Sequence, residues 1–134
     1  IMADLSGIMP ANDWARLAVR YYHDNECSRI IAEVNNGGDL VENTIRTVDA
    51  NVAYKDVRAT RGKAIRAEPI SALYEQGKVH HVGMFPQLED QMTGFDPKSP
   101  GKSPDRMDAM VWGVSELTGI CQESYGAFRP SGRR

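Results

Sequence analysis

The spacing of hydrophobic and polar positions along the chain predicts five helices, separated by turns rich in Gly, Pro, Asn and Ser. Gly77 marks the end of the third helix and Pro86 the start of the fourth. Ser103 and Pro104 are suited to be the N-cap and the first residue of the fifth helix. The predicted helices span residues 11–25, 40–48, 61–76, 85–95 and 104–119.

Short β-branched, apolar or alternating segments predict four strands between these helices, at residues 1–5, 29–34, 52–59 and 79–82. The alternation of strands and helices predicts an α/β fold with a sheet that is at least partly parallel. We expect one domain over residues 1–119 and a flexible tail over residues 120–134. Because residues 1–5 have the pattern of a strand that is already under way, we also expect the chain to be cut from a longer one.

The amino-acid composition excludes some classes of function for this chain. The 134 residues include 16 Lys and Arg against 18 Asp and Glu, a net charge of −2. This balance argues against a polybasic nucleic-acid coat, but it is compatible with an enzyme that contacts DNA through one local groove. We find neither a signal peptide nor an apolar run of the roughly 18–20 residues that a membrane span needs. Cys27 and Cys121 lack metal or redox spacing, which favours reduced thiols in the cytoplasm.

Glu33 is an acid at the end of an otherwise apolar predicted strand. Burial of a carboxylate costs several kcal/mol unless it is paired or holds a cation, and sites in α/β sheets gather at strand carboxyl ends. Glu33 is therefore a candidate site residue. The alternatives are an acid that points outward from an edge strand, or one that is paired with an arginine.

Two more acids, Asp105 and Asp108, lie in the first turn of the last predicted helix and share one side of it with Trp112 and Ser115. Acids in a first turn also complement the helix dipole, so their position alone does not require a ligand. Together with Glu33, however, they form the set of hard carboxylates that Mg²⁺ or Mn²⁺ needs. Two such ions can support hydrolysis of a phosphodiester bond.

Basic residues cluster at the start of the third predicted helix, where Arg61, Lys63 and Arg66 flank Gly62. Together with backbone N–H groups they are candidates for holding a DNA phosphate. A solvated polar face is the alternative. The adjacent His80 and His81 would point to opposite faces of a strand, which favours structural roles for both.

Five segments occur in the order found in the C-terminal nuclease domain of tailed-phage terminase large subunits, which the chain resembles over about residues 3–118. No single segment is decisive, but the set is specific. The segments are AEVNNGG at 32–38, GKAIRAEP at 62–69, YEQGKVHH at 74–81, LEDQM at 88–92 and SPDRMDA at 103–109.

The resemblance implies a ribonuclease-H-like fold, with a mixed sheet flanked by helices. It implies an endonuclease that uses Mg²⁺ or Mn²⁺ to cut concatemeric phage or prophage DNA. Glu33 and Asp105 match two of the three metal-binding acids of the family, and Asp108 is a possible auxiliary ligand. Lys63 and Arg66 match a basic element near the site.

One departure concerns the first acid of the family, which belongs to a strand without a counterpart here. We therefore expect the first strands, one metal ligand and the ATPase motor to be missing, and the two-metal site to be incomplete. A non-catalytic module that binds DNA or assembles the packaging motor is the alternative. The implied partners are double-stranded DNA, the parent ATPase domain, the portal and the small terminase subunit, in the cytoplasm of a bacterial host and without a membrane.

Overall fold

A computed structural model describes residues 1–35, 38–98 and 101–120. Within them the chain forms five helices and two strands, and all five predicted helices are confirmed to within a few residues. The elements are α1 (Ala11–Asp24), β1 (Ile30–Glu33), α2 (Asp39–Val48), β2 (Tyr54–Val57), α3 (Lys63–Glu75), α4 (Pro86–Gly94) and α5 (Asp105–Thr118). Cys121 and residues 121–134 of the predicted tail lie outside the described residues.

The sheet in the described part of the chain is one parallel pair, β1 with β2, joined by the crossover helix α2. Ile30 lies opposite Tyr54 and Glu33 opposite Val57. A further hydrogen bond of 2.9 Å, from the Val34 N–H to the Val57 carbonyl, continues the pairing beyond Glu33. The α/β class is confirmed, whereas the mixed sheet is not found among the described residues, because the strands there run in the same direction.

The predicted strands at 1–5 and 79–82 do not form as strands. Instead, Ile1 pairs with the second segment at a single position: its N–H donates to the His80 carbonyl, and its own carbonyl accepts from the Val82 N–H at 2.9 Å. A strand needs successive paired residues, and no further backbone hydrogen bond joins these two described segments. The prediction of strands at both places was therefore wrong.

Two clusters of buried side chains form the core. One lies between α3, α4 and α5, and its buried members are Ile70, Leu73, Leu88, Met107, Val111 and Val114. The other packs α1 and α2 beside the start of β2, with Ala15, Val19, Ile45 and Val52. The first cluster holds the N-terminal turns of α3 and α5 side by side, and these turns carry most of the predicted site residues.

Two glycines follow the C-terminal ends of α3 and α5, the helices whose first turns carry most of the site residues. Gly77 follows α3 with a φ of 67°, and Gly119 follows α5 with a φ of 73°. Both lie in the left-handed region, which costs a residue with a Cβ far more than glycine.

None of the helices in the described ranges is long and apolar enough to cross a membrane.

Candidate functional site

Five of the six predicted site residues form one connected cluster of charges. Glu33 comes from the end of β1, Lys63 and Arg66 from the first turn of α3, and Asp105 and Asp108 from the first turn of α5. Four ion pairs join them in sequence, so that each acid contacts a cation and each cation contacts two acids.

Arg66 is the buried centre of the cluster. Its Nη1 lies 2.9 Å from Asp108 Oδ1, and its Nη2 lies 4.0 Å from Glu33 Oε1. Its Nε donates to the Arg61 carbonyl at 3.3 Å, and the guanidinium lies 4.6 Å from the centre of the Trp112 ring. Only 7% of the Arg66 side chain is exposed. Arg66 is therefore a buried counter-ion shared by two acids, and it lies much closer to Asp108 than to Glu33.

Lys63 joins the other two acids. Its Nζ lies 3.3 Å from Asp105 Oδ1 and 3.3 Å from Asp108 Oδ2, and it donates to Ser103 Oγ at 2.7 Å. Partial burial lowers the pKa of Lys63, but the hydrogen bonds and charges of Asp105 and Asp108 outweigh this and raise it above its ordinary value. One ammonium group is thus held by two carboxylates and a hydroxyl.

Asp105 and Asp108 differ sharply in exposure. The Asp105 side chain is 80% exposed, whereas that of Asp108 is 6% exposed. The hydrogen bond from Ser103 Oγ, at 2.6 Å, is the main reason why the pKa of Asp105 is lowered. Slight burial opposes this shift and Lys63 adds to it. Asp105 is therefore the solvent-facing acid of the pair, and Asp108 is the buried one.

The start of α5, which positions both aspartates, is fixed by a residue that the sequence did not single out. Gln91 Oε1, from α4, accepts hydrogen bonds from the backbone N–H groups of Arg106 at 2.9 Å and Met107 at 3.2 Å. The prediction that Ser103 caps this helix was wrong, because Pro104 occupies the cap position and Ser103 bonds to Asp105 instead. The sequence feature that could have pointed to Gln91 is its place in the LEDQM segment at residues 88–92, one of the five segments that resemble the terminase family.

Two of the three predicted basic residues, Arg61 and Arg66, line a cavity of about 530 Å³ beside the cluster. Its wall carries four cationic side chains, those of Lys55, Arg58, Arg61 and Arg66. Lys55 is held by Glu116 at 2.7 Å, and Arg58 lies 3.8 Å from Asp56. Arg61 is exposed and makes no ion pair with a described residue. Of the three predicted phosphate contacts, Arg61 is therefore the most accessible and Arg66 the least.

A metal site with three acids around one point is not formed by the described residues. The oxygens that do converge belong to Asp105, Asp108 and Ser103, and they hold the Lys63 ammonium. Carboxylate and hydroxyl oxygens are the ligands that Mg²⁺ and Mn²⁺ prefer, so the chemistry of this set fits a hard cation. Glu33 is linked to it only through Arg66. The metal-binding roles of Glu33, Asp105 and Asp108 stay predictions.

A second hydrogen-bond network holds the His81 side chain. Its Nε2 lies 2.7 Å from the Tyr74 hydroxyl and its Nδ1 lies 2.9 Å from Glu89 Oε1. Glu89 Oε1 also accepts from the Phe85 N–H at 3.1 Å. These contacts tie the end of α3 to the start of α4, and they are consistent with the structural role that the sequence favoured for His81.

Comparison with known protein families gives a match over most of the chain. The family model described as a terminase RNaseH-like domain covers residues 7–117. No curated protein and no solved structure matches the chain. The matched range contains β1, α3 and all of α5 except its last residue, and therefore every residue of the charged cluster.

Proposed function

Because the chain belongs to the terminase RNaseH-like domain family, we propose that it is the metal-dependent endonuclease domain of a phage DNA-packaging terminase. Its substrate is concatemeric double-stranded DNA, whose phosphodiester bonds it hydrolyses. The ATPase domain of the parent protein, the portal and the small terminase subunit are its proposed partners, in the cytoplasm of a bacterial host.

The grouping of three acids from two elements in one charged cluster carries the proposal. Glu33 is far in sequence from Asp105 and Asp108, yet ion pairs through Arg66 and Lys63 join the three acids. Asp105 and Asp108 would hold Mg²⁺ or Mn²⁺, with Glu33 at the margin of the same site. A bound ion of this kind supplies an activated water and stabilisation of the leaving oxygen.

The protein's own groups contribute position and charge. Arg61 is exposed on the wall of the cavity, where it can bind a DNA phosphate without leaving an acid unpaired. Arg66 is the buried counter-ion of Asp108, and burial of a carboxylate is costly unless its charge is paired. Direct contact of Arg66 with DNA would require it to leave this pair.

A second function is favoured by one specific observation. Each of the three acids already contacts Lys63 or Arg66, and no group of three potential metal ligands occurs among the described residues. This is the arrangement expected of a non-catalytic module that binds DNA or assembles the packaging motor.

Cleavage of supercoiled plasmid in Mn²⁺ distinguishes the two functions. We expect slow nicking by the unaltered chain and a loss of at least about a hundredfold in Glu33→Gln and Asp105→Asn, because misplaced reacting groups cost on that order. Glu75→Gln, an exposed acid at the end of α3, is the matched control and should cut normally. DNA binding without cleavage, or cleavage unaffected by either variant, would contradict the endonuclease proposal.

A further inference from the structure

The Lys63 ammonium occupies the position where a cation would be held by the start of α5. Asp105 Oδ1 and Asp108 Oδ2 are equally close to it, at 3.3 Å, and Ser103 Oγ completes the contact at 2.7 Å. The three oxygens come from one short stretch of chain whose backbone is fixed by Gln91. The protein therefore supplies its own cation, the Lys63 ammonium, to these three oxygens.

The two oxygens of Asp108 have separate counter-ions. Oδ1 contacts Arg66, which is 7% exposed, and Oδ2 contacts Lys63, which is 31% exposed. Arg66 is covered by the protein and also contacts Glu33 and Trp112, so it has little freedom to leave. Lys63 has a flexible four-carbon stem and an exposed path away from the acids. Of the two cations, Lys63 is the one that can be exchanged.

A divalent ion bound to Asp105 and Asp108 would lie within a few ångströms of the ammonium. Two cations at that separation repel each other, most strongly on the buried side of the oxygen set, beside Asp108, where solvent screening is weak. The oxygens are also too few to satisfy both. Occupation by the ammonium and occupation by a metal ion are therefore alternatives.

We propose that Lys63 is an exchangeable internal counter-ion, which competes with the divalent cation for Asp105 and Asp108 and is released when the cation binds. This inference rests on the proposed function, because that proposal places the cation at these acids. The released ammonium starts from the first turn of α3, two residues from Arg61, and so becomes available to a DNA phosphate only in the metal-bound protein.

Calorimetric titration with MnCl₂ tests the competition without requiring activity. Lys63→Met keeps the aliphatic stem and removes the charge. It is expected to bind Mn²⁺ at least about fivefold more tightly than the unaltered chain, because the partly exposed ion pairs of Lys63 with Asp105 and Asp108 no longer compete with the metal ion. Lys102→Met is the matched control: it removes a charge one residue from Ser103, from a side chain without an ion pair among the described residues, and should change the affinity less than about twofold.

Thermal unfolding provides a second readout. Without metal, Lys63→Met should melt at a lower temperature than the unaltered chain, because Asp105 and Asp108 then repel each other. Mn²⁺ should raise its melting temperature more than that of the unaltered chain. Lys63→Arg, which keeps a cation, should bind Mn²⁺ within about twofold of the unaltered chain.

The outcomes separate this inference from the proposed function. Equal or weaker Mn²⁺ binding by Lys63→Met, together with a loss of binding in Asp105→Asn, would overturn the competition and leave the cation site in place. Identical heats in the unaltered chain, Lys63→Met and Asp105→Asn would overturn the cation site and the inference together. A fivefold gain in Lys63→Arg would also contradict competition by charge.

Discussion

Arg66 Nη1 lies 2.9 Å from Asp108 Oδ1, and each side chain is more than nine-tenths buried. The pair joins the first turn of α3 to the first turn of α5. Buried charges are stable only when they are paired, so the folded state needs both partners together. The contact that holds two candidate site residues in place is thus also part of what holds these two helices together.

Removal of Asp108 alone should therefore destabilise the metal-free protein. In Asp108→Ala the Arg66 guanidinium stays buried, and its described contacts are then Glu33, 4.0 Å away, the Trp112 ring and the Arg61 carbonyl. We expect the free energy of unfolding in urea to fall by about 3 kcal/mol. The double variant Arg66→Met with Asp108→Leu should lose less than Asp108→Ala, because neither charge is then left unpaired. A larger loss in the double variant would contradict this account.

Gln91 should matter to α5 although it belongs to α4. Its carbonyl oxygen accepts from two N–H groups that have no partner within their own helix. Gln91→Ala is expected to lower the free energy of unfolding by about 1 kcal/mol, as loss of an N-cap does, whereas Gln91→Glu should retain most of the stability. Gln87→Ala, at an exposed position of α4, is the control. Equal urea midpoints for Gln91→Ala and Gln87→Ala would count against the cap.

The helices were predictable because the helical period is a local property of the sequence. Lys63, Arg66, Asp105 and Asp108 were likewise singled out from their places in the first turns of two predicted helices, and the structure brings those turns together. The strands at 1–5 and 79–82 illustrate the opposite case, because a strand depends on a partner that the local pattern does not specify.

The pairing of the site residues was not predictable in the same way. Lys63 and Asp105 are separated by 42 residues, and only the packing of α3 on α5 makes them neighbours. The sequence offered the basic residues as DNA contacts and the acids as metal ligands. It did not show that each group is the counter-ion of the other. Gln91 was missed for the same reason, since its role lies in a neighbouring helix.

Two glycines should respond in opposite ways to replacement by alanine. A Cβ on Gly38 would lie 2.7 Å from the Cβ of Val34, which is itself buried, so Gly38→Ala should cost about 1–3 kcal/mol. Gly113 lies inside α5, where a Cβ would meet no atom within 4 Å. Gly113→Ala should therefore stabilise the protein by about 0.5–1 kcal/mol. Urea unfolding of both variants decides the matter, and a stabilised Gly38→Ala would show that Val34 can move aside.

Glu89 should make the stability of the protein fall in acid. The hydrogen bond with His81 is the main cause that lowers the pKa of Glu89 below its ordinary 4.5, and the Phe85 N–H adds to this against a small opposing effect of burial. A carboxyl whose pKa is lower in the folded than in the unfolded state stabilises the fold at pH values above its pKa in the unfolded state. That stabilisation is lost as the pH falls through the folded value.

The test is a comparison of thermal melting temperatures between pH 5 and pH 3. Glu89→Gln removes the titrating group. The amount by which its melting temperature falls below that of the unaltered chain should therefore be largest near pH 5 and shrink towards pH 3. Tyr74, the other group that contacts His81, does not contribute here, because burial and the charge of Glu89 raise its pKa further from this range. Asp90→Asn alters the adjacent exposed acid of α4, whose side chain makes no hydrogen bond or ion pair with the described residues, and should keep the acid dependence of the unaltered chain. A deficit in Glu89→Gln that stays constant over this range would show that Glu89 acts through packing, because only loss of its charge makes the deficit depend on pH.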